Sequence, residues 1–576
     1  MANHGAFTFV LHSHLPYVLS HGRWPHGADW LNEATAECYI PILRVLEELA
    51  AAGIAPKLTL GLTPVLCEQL SDPLFASEFR DYIEAKIETA QRNSEEFAQR
   101  GDRHLAGLAQ MWVKFYRDIA SDFVERWNEN LIAAFRRLQD ADQIEVITSA
   151  ATHGYLPLLS RDTAVNAQLR QGVTAYRRHF GRDPQGIWLP ECAYRPAYAW
   201  ANPVWPDAPP VARRGIEEFL SYYGIRFFII DSHMLSGGKA IGVYLARFEG
   251  LQRLWDQFQK SHTPDEVGQG NRSPYALHWV SSRLPHEHPV AVLTRDPQTG
   301  LQVWSGEWGY PGDGNYLDFH KKHFPGGHRY WKVTDAKADL GDKLEYYPEA
   351  IKSRIHENAM HFVNLARQII RAEEADYPII CAPYDTELFG HWWFEGPRWL
   401  REVIEEFYRE SELDLVTGSE YVRATGEAKV VQLPEGSWGE GGFHYIWLND
   451  ANRWTWPYVY DAEEHMEAEV VRLGENQDST IQRLLKQMGR ELLLLESSDW
   501  QFLISTMSAA DYAEMRVLRH ARDFEFLHDI LKRVAGGEPV GDGQWLRVEE
   551  IEKRDMLFAE IEPLWWHPRE LDFVSH

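Results

Sequence analysis

Cysteine is scarce in this sequence. The chain has 576 residues and only four cysteines, Cys38, Cys67, Cys192 and Cys381. They lie far apart, which fits neither the CxxC spacing of a zinc site nor the clustered framework of a disulfide-rich secreted domain. The sequence therefore predicts a protein of a reducing compartment, and we expect it to be cytoplasmic.

Long apolar runs and an excess of basic residues are lacking as well. No stretch approaches the ~18 uninterrupted apolar residues that a membrane-spanning helix needs. The first apolar run follows no Lys or Arg and is broken by His12 and His14, unlike a secretory signal. With 58 Lys and Arg against 85 Asp and Glu, the formal charge is -27, which repels phosphate backbones and anionic lipid. We expect neither nucleic acid nor a membrane among its partners.

Aromatic residues, by contrast, are abundant. The chain contains 23 Trp, 25 Tyr and 26 Phe, more than the packing of a core requires. Flat rings with a polar edge pack well against the apolar faces of sugars. Composition alone thus makes carbohydrate the first candidate ligand.

Seven short apolar runs alternate with long amphipathic stretches. Such runs are typical of strands buried on both faces of a parallel sheet, and the stretches between them are typical of helices. The predicted strands are Phe7 to Leu11, Leu58 to Leu62, Ile144 to Thr148, Gly186 to Leu189, Arg226 to Ile230, Val290 to Leu293 and Ile379 to Ala382. This alternation predicts an α/β fold.

Polar residues follow these runs almost everywhere, among them His12, His153, Glu191 and Asp385. In a barrel the carboxyl ends of all strands open on one face, whereas an open sheet concentrates chemistry at one switch point, usually beside a glycine-rich turn. No such turn follows the first run, and no eighth strand is apparent. We therefore predict an incomplete or distorted barrel of seven strands.

Two regions interrupt the alternation. Residues 73–142 have a helical pattern without a strand and are predicted to form an inserted helical subdomain, and residues 430–576 are predicted to form a C-terminal α-helical domain. The barrel then comprises residues 1–72 and 143–429. Within it, residues 235–274 are glycine-hinged and are predicted to form a flexible active-site loop.

Two carboxylates stand out because each comes directly after a buried strand. Glu191 lies in GIWLPECAYRP, and Asp385 lies in APYDTELFGHWWFEGP. Two such groups on one barrel face, surrounded by tryptophans, are typical of a glycosidase pair. Two alternatives stay open: Glu191 could instead pair with Arg195, and Glu387 is a rival to Asp385 that fits a structural role better.

The pair His12 and His14 suggests a different chemistry. An HxH at the end of a first strand can bind a divalent metal in a hydrolase, with His153 and Asp385 completing the site. Histidines can equally donate hydrogen bonds to sugar hydroxyls. Four tryptophans in a glycine-rich segment, Trp438, Trp447, Trp454 and Trp456, could either stack on sugar or pack a domain interface.

The whole chain resembles glycoside hydrolase family 57 and, within it, the 1,4-α-glucan branching enzymes. The resemblance rests on HSHLPYV, ITSAATHGYLPLL, GIWLPECAYRP, VWSGEWGYPGDGNYLDFHK, APYDTELFGHWWFEGP and SSDWQFL. It implies a distorted (β/α)7 barrel with an inserted helical subdomain and a C-terminal helical domain. It also implies a retaining transfer on α-glucan such as amylose or glycogen, with no metal and no cofactor; a monomer is the expected state.

The resemblance also assigns roles to individual residues. Glu191 matches the nucleophile and Asp385 the general acid/base. Tyr244 resembles a loop-tip tyrosine that favours transfer over hydrolysis. The other residues expected to contact substrate are His12, His14, Trp30, His153, Trp279, Arg295, Gly312, His391, Trp447, Trp456 and Asp499.

One departure from the family pattern concerns substrate binding. Similar enzymes tend to continue Gly-Gln-Ala after SSDWQFLIST, where this chain has Met507, Ser508 and Ala509. The motifs separate branching only in part from the sister activities, 4-α-glucanotransferase and α-amylase. A metal-dependent hydrolase and a catalytically silent glucan-binding protein are the alternatives from other classes.

Overall fold

The computed structural model describes residues 4–236, 272–283, 288–335, 337–409 and 412–573. Its strands are β1 Gly5–Ser13, β2 Leu58–Leu62, β3 Ile144–Ser149, β4 Gly186–Trp188, β5 Tyr198–Trp200, β6 Val211–Arg213, β7 Phe227–Ile230, β8 His278–Val280, β9 Ala291–Thr294, β10 Ile379–Asp385, β11 Leu413–Leu415 and β12 Lys429–Val431. The predicted active-site loop at 235–274, with Tyr244, lies almost wholly outside the described residues.

The helices are α1 Ala28–Ala34, α2 Ile40–Ala51, α3 Pro64–Leu70, α4 Pro73–Gln99, α5 Arg103–Ser121, α6 Leu131–Asp140, α7 Asp162–Phe180, α8 Ile216–Tyr222, α9 His233–Ser236, α10 Pro297–Trp304, α11 Ile351–Ala372, α12 Gly396–Arg409, α13 Gly418–Ala424, α14 Trp456–Leu473, α15 Ser479–Leu495, α16 Asp499–Thr506, α17 Ala510–Ala535 and α18 Asp542–Arg554. Among the helices described here, none is both long and apolar enough to cross a membrane.

One compact unit consists of Met1–Leu60, Gln69–Val146 and Arg295–Tyr421. Its strand β1 is buried along its whole length and pairs in parallel with β10 and β11. The strand is mostly apolar, and Phe7, for example, stacks on Phe407 at 4.6 Å between ring centroids. The register sets His12 opposite Asp385, so the first strand carries a histidine to the carboxyl end of β10.

The same unit contains the three helices of the predicted insertion. Helices α4, α5 and α6 each begin directly after a capping residue whose side chain accepts a hydrogen bond from a backbone N–H of the first turn: Asp72 from Leu74, Asp102 from Leu105 and Asn130 from Ala133. Such caps satisfy donors that a helix start leaves unpaired, which is why the helices begin at these positions.

The other unit consists of Gly61–Glu68, Ile147–Thr294 and Val422–His576. Strands β3, β4, β7 and β9 pair in parallel, β8 runs antiparallel to β9, and β12 pairs in parallel with β8. Strand β4 begins at a glycine because a Cβ at Gly186 would lie 2.3 Å from the ring of Phe227. Helices α14 to α18 follow the strands in this unit.

All seven predicted strands are present: Leu58–Leu62 matches its run at both ends, and the ends of the other six differ by at most three residues. The parallel pattern is incomplete because β8 is antiparallel, and the hairpin β5–β6 is a separate two-stranded sheet. The sheet is therefore mixed, whereas the buried runs alone predict parallel pairing.

Candidate active site

Asp385 ends strand β10 in the first unit. The six preceding residues of the strand are buried, and Asp385 itself is partly exposed, so its carboxyl emerges where the strand leaves the core. Its register partner His12 is buried. Burial has the larger effect and the neighbouring His14 the smaller one, and both lower the pKa of His12 well below its usual range. A neutral imidazole has one donor and one acceptor nitrogen, which suits it to hydrogen bonds with sugar hydroxyls.

Glu387 lies two residues after Asp385 and has a different environment. Its Oε1 accepts hydrogen bonds from Tyr39 Oη at 2.5 Å and from the backbone N–H of His14 at 3.3 Å. Burial of this carboxyl, followed by the negative charge of Asp385, raises the pKa of Glu387 to about 8. Glu387 is thus mostly a neutral acid at pH 7 that ties the end of β1 to the turn after β10, in line with the structural role expected for it.

His391 is held by a buried ion pair. His391 Nδ1 lies 3.0 Å from Glu37 Oε2, and the His391 carbonyl accepts a hydrogen bond from Arg329 Nη1 at 2.9 Å. The ion pair itself joins Arg329 Nη2 to the same Glu37 oxygen at 2.9 Å. Burial alone would raise the pKa of Glu37, but Arg329 and then His391 lower it to about 2. Potential metal-ligand atoms of Glu33, Glu37 and His391 lie within 4.8 Å of one another, yet the guanidinium already neutralises Glu37.

Three further predicted residues belong to this unit. Arg295 is buried and pairs with Cys381 of β10 through an isolated parallel bridge. Gly312 is required by packing, because a Cβ there would lie 2.2 Å from the carbonyl oxygen of Gly306. Trp30 is partly exposed on α1, 5.3 Å from the ring of His26.

Glu191 belongs to the other unit and has a special backbone. It follows β4 in the short turn Pro190–Cys192 and has φ 60° and ψ 25°, a left-handed conformation that costs energy for a residue with a side chain. Its Oε2 accepts a hydrogen bond from Trp438 Nε1 at 2.8 Å, and its Oε1 accepts one from Ser498 Oγ at 3.3 Å. Arg195, the alternative partner, instead lies 3.8 Å from Asp162.

His153 lies beside Glu191. Its Nδ1 is 3.9 Å from Glu191 Oε1 and 2.8 Å from Ser498 Oγ. Like Glu191, His153 has a positive φ, 61°. Asp499 follows Ser498 and accepts a hydrogen bond from Ser497 Oγ at 2.5 Å. His153, Glu191 and Asp499, all predicted from the sequence, are therefore brought together with Ser498.

The tryptophans of this unit serve different purposes. Trp438 is only 4% exposed, uses its indole N–H for Glu191 and packs edge-on against Trp188 at 5.0 Å. Trp447 and Trp456 are each 1% exposed: Trp447 stacks on Tyr155 at 4.5 Å, and Trp456 Nε1 donates to the carbonyl of Trp447. These two rings pack within the protein, so a role in glucan contact stays a prediction. Trp279 is partly exposed on β8.

Sequence reasoning missed several residues that support these groups. They are Ser498 and Tyr155 in one unit and Tyr39, Glu37 and Arg329 in the other. Ser498 could have been found, because it lies in the SSDWQFL motif immediately before the predicted Asp499. The others carry no local signal, since each supports a site residue far away in the chain.

Each unit therefore presents a carboxylate at the end of a buried strand or just after it, accompanied by histidines and, at Glu191, by an indole donor. Carboxylates of this kind are the working groups of glycosidase-type enzymes. Residues 8–434 match the model described as Glycosyl hydrolase family 57, and residues 458–566 match the one described as 1,4-alpha-glucan branching enzyme, C-terminal. The chain belongs to glycosyl hydrolase family 57.

Several known proteins are similar over nearly the whole chain. The 1,4-alpha-glucan branching enzyme TK1436 of Thermococcus kodakarensis is 41% identical over 97% of this chain and 78% of that protein. Its crystal structure superposes with a TM-score of 0.87, at 39% identity over 98% of this chain and 96% of that chain.

Two further crystal structures are similar. The GH57-type branching enzyme of Pyrococcus horikoshii has a TM-score of 0.85 at 40% identity, covering 98% of this chain and 97% of that chain. The alpha-amylase AmyC of Thermotoga maritima has a TM-score of 0.78 at 27% identity, covering 98% and 99%. The expected barrel-type α/β fold with a C-terminal helical region is confirmed by the crystal structure of TK1436 and by the C-terminal domain match.

Proposed function

We propose that this protein is a 1,4-α-glucan branching enzyme, a retaining glycosyltransferase that cleaves α-1,4 links and forms α-1,6 branches. The observation that carries the proposal is the match of residues 458–566 to the C-terminal domain of branching enzymes, joined to a family 57 segment over residues 8–434. The identity of 41% to TK1436 supports it further.

The proposed reaction is a double displacement. Asp385 donates its proton to the glycosidic oxygen, which departs as a hydroxyl of the released part of the donor chain, while Glu191 attacks the anomeric carbon and forms a covalent glycosyl ester. Asp385, now a carboxylate, then takes the proton from the 6-hydroxyl of a second glucan chain, whose oxygen displaces Glu191. Two inversions at the anomeric carbon leave its configuration unchanged.

The environments of the two carboxyl groups support this division of roles. Hydrogen bonds from Trp438 and Ser498 stabilise an ionised Glu191, as a nucleophile requires. Asp385 carries its carboxyl to the end of β10 beside a neutral His12, where a sugar oxygen can approach. A retaining mechanism requires the two carboxyl groups to lie about 5 to 5.5 Å apart, whereas more than about 6.5 Å indicates inversion.

Branching further requires that water be kept from the glycosyl intermediate. We assign this role to the predicted loop that carries Tyr244, outside the described residues, because a closing loop excludes water from a reactive intermediate. The acceptor would then be a sugar hydroxyl rather than water. The substrate class is α-glucan such as amylose or glycogen, and a cytoplasmic monomer remains the prediction for location and state.

The decisive experiment is incubation with linear amylose, with α-1,6 links and new reducing ends counted by proton NMR in the same sample. A branching enzyme raises the α-1,6 signal with few new reducing ends. Glu191→Gln should abolish both signals while circular dichroism and the melting temperature stay near those of the wild type. Glu88→Gln, at an exposed glutamate, is the matched control and should remain active. Full activity of Glu191→Gln would contradict the assignment of the nucleophile.

An α-amylase of the same family is the second candidate. The similarity to AmyC, an alpha-amylase with a TM-score of 0.78, favours it. In that case the same amylose assay gives reducing ends without α-1,6 links, because water replaces the 6-hydroxyl as acceptor. A 4-α-glucanotransferase would instead redistribute chain lengths without either signal.

A further inference from the structure

Ser498 precedes helix α16 and uses its side chain in an unusual way. A capping serine has a non-helical backbone and accepts a hydrogen bond from a backbone N–H of the first helical turn, whereas Ser498 has a helical backbone, with φ −64° and ψ −20°. The Ser498 side chain makes no such capping bond, and the residue is fully buried. Its hydroxyl instead lies 2.8 Å from His153 Nδ1 and 3.3 Å from Glu191 Oε1.

The backbone reinforces this contact. Ser498 N donates to the carbonyl oxygen of His153 at 3.0 Å, and Ser497 forms an antiparallel bridge with Gly154. His153 and Glu191 both have left-handed backbone conformations, with φ of 61° and 60°. Residues with side chains keep such conformations only where surrounding contacts enforce them. Ser498 is bonded to both strained residues.

The hydrogen bonds have one consistent direction when Glu191 is ionised. A carboxylate only accepts, so the single hydroxyl hydrogen of Ser498 points to Glu191 Oε1. The Ser498 oxygen can then accept, and His153 Nδ1 must carry a hydrogen to reach it. In a neutral His153 this leaves Nε2 as a hydrogen-bond acceptor, which can receive a hydroxyl from a sugar.

We propose that Ser498 is a positioning residue for the glycosyl transfer: its hydroxyl fixes the rotamer of Glu191 and the tautomer of His153 at the same time. The inference rests on the proposed function, in which Glu191 is the nucleophile. Ser498 does not react itself. It holds one carboxylate oxygen, while Trp438 holds the other, so that the carboxylate stays ionised and oriented toward the anomeric carbon.

The test compares Ser498→Ala, Ser498→Cys and Ser498→Thr in the full chain, with Ser479→Ala, at an exposed serine of the same unit, as control. Ala removes the hydroxyl, Cys keeps a side chain of similar shape but is a weak donor, and Thr keeps the hydroxyl. Because a hydrogen bond to a charged group is lost, we expect kcat on amylose to fall roughly 10- to 100-fold in the Ala and Cys variants. KM should change little, and Thr should restore much of the loss.

The pH profile separates positioning from mere folding. Losing a donor to a carboxylate disfavours its charged form, so the acid limb of the kcat/KM profile should move up by about one pH unit in Ser498→Ala. The double variant Ser498→Ala with His153→Ala should lose less than the product of the two single losses, because Ser498 acts in part through His153. A simple loss of stability would lower activity without moving the limb.

The outcomes distinguish this inference from the proposed function. If Glu191→Gln is inactive while Ser498→Ala and Ser498→Cys keep wild-type kcat and an unchanged acid limb, the positioning role is wrong and the nucleophile assignment stands. If Glu191→Gln keeps its activity, the proposed function fails whatever Ser498 does. If Ser498→Ala does not fold, the comparison of the Cys and Thr variants decides, since a positioning role requires Thr to exceed Cys.

Discussion

Replacing Glu387 by glutamine tests how a buried carboxyl that stays protonated in the native state makes the free energy of unfolding depend on pH. The pKa of Glu387 is raised from 4.5 to about 8, so above pH 4.5 the native state keeps a proton that the unfolded chain releases. The contribution of the Glu387 carboxyl to the free energy of unfolding is fully present below pH 4.5. As the pH rises toward 8, this contribution falls by about 1.4 kcal/mol per pH unit. By pH 7 the loss reaches about 3 kcal/mol.

Glutamine keeps the oxygen that accepts from Tyr39 and from the His14 backbone but does not titrate. The difference in unfolding free energy between Glu387→Gln and the wild type should therefore shift in favour of the variant as the pH rises from 5 to 7. Beyond pH 8 this difference should change little. Urea unfolding followed by tryptophan fluorescence at pH 5, 6, 7 and 8 measures this difference, and Glu88→Gln is the exposed control. Parallel pH dependences of wild type and Glu387→Gln would refute the reasoning.

Four further predictions follow from the same features. Tyr244→Ala should raise the ratio of new reducing ends to α-1,6 links in the amylose assay, because water gains access to the intermediate. Glu37→Gln should lower the urea-unfolding free energy at pH 7 by about 3 to 5 kcal/mol, because it leaves Arg329 buried and unpaired. In the wild type the pKa of Glu37 is lowered to about 2. The stabilisation by the Glu37 carboxylate is therefore present above pH 4.5 and disappears as the pH falls toward 2. Gly390→Ala should lower the melting temperature, because φ is 111° and a Cβ would lie 1.9 Å from the carbonyl oxygen of Glu37. Chelation with EDTA should leave branching unchanged; a loss together with stoichiometric zinc would favour the metal-dependent alternative at His12 and His14.

The sequence predicts the longer strands because their signal is local. Runs such as Phe7 to Leu11 and Ile379 to Ala382 are apolar over several residues and become β1 and β10, buried on both faces. Strands β8, β11 and β12 each have three residues, one of which is polar (His278, Asp414 and Lys429), so no apolar run marks them in the sequence. Their pairing, including the antiparallel β8, depends on which strand lies alongside and not on their own residues.

The reacting carboxylates could be predicted for a similar reason. A polar residue directly after a buried run, as at Glu191 and Asp385, is visible in the sequence and lies where a barrel places its chemistry. The partners of these groups are not visible in this way. Trp438 and Ser498 are separated from Glu191 by 247 and 307 residues, so the hydrogen bonds appear only once the chain is folded.

The conformation of Glu191 explains why its partners come from the C-terminal part of the chain. Glu191 and Cys192 both have positive φ, 60° and 48°, and two consecutive residues of this kind cost roughly 1 to 3 kcal/mol each. The turn makes two backbone hydrogen bonds of its own, from Cys192 N to the Leu189 carbonyl at 2.8 Å and from Ala193 N to the Pro190 carbonyl at 3.0 Å, and residues distant in the chain add further ones. Trp438 donates from its backbone to the Glu191 carbonyl at 3.0 Å and from its indole to the carboxylate, and Ser498 donates to the second carboxylate oxygen. The contacts that stabilise the strained turn are therefore the same contacts that orient the carboxylate. A substitution that relaxes the turn should lower activity before it lowers the stability of the whole chain.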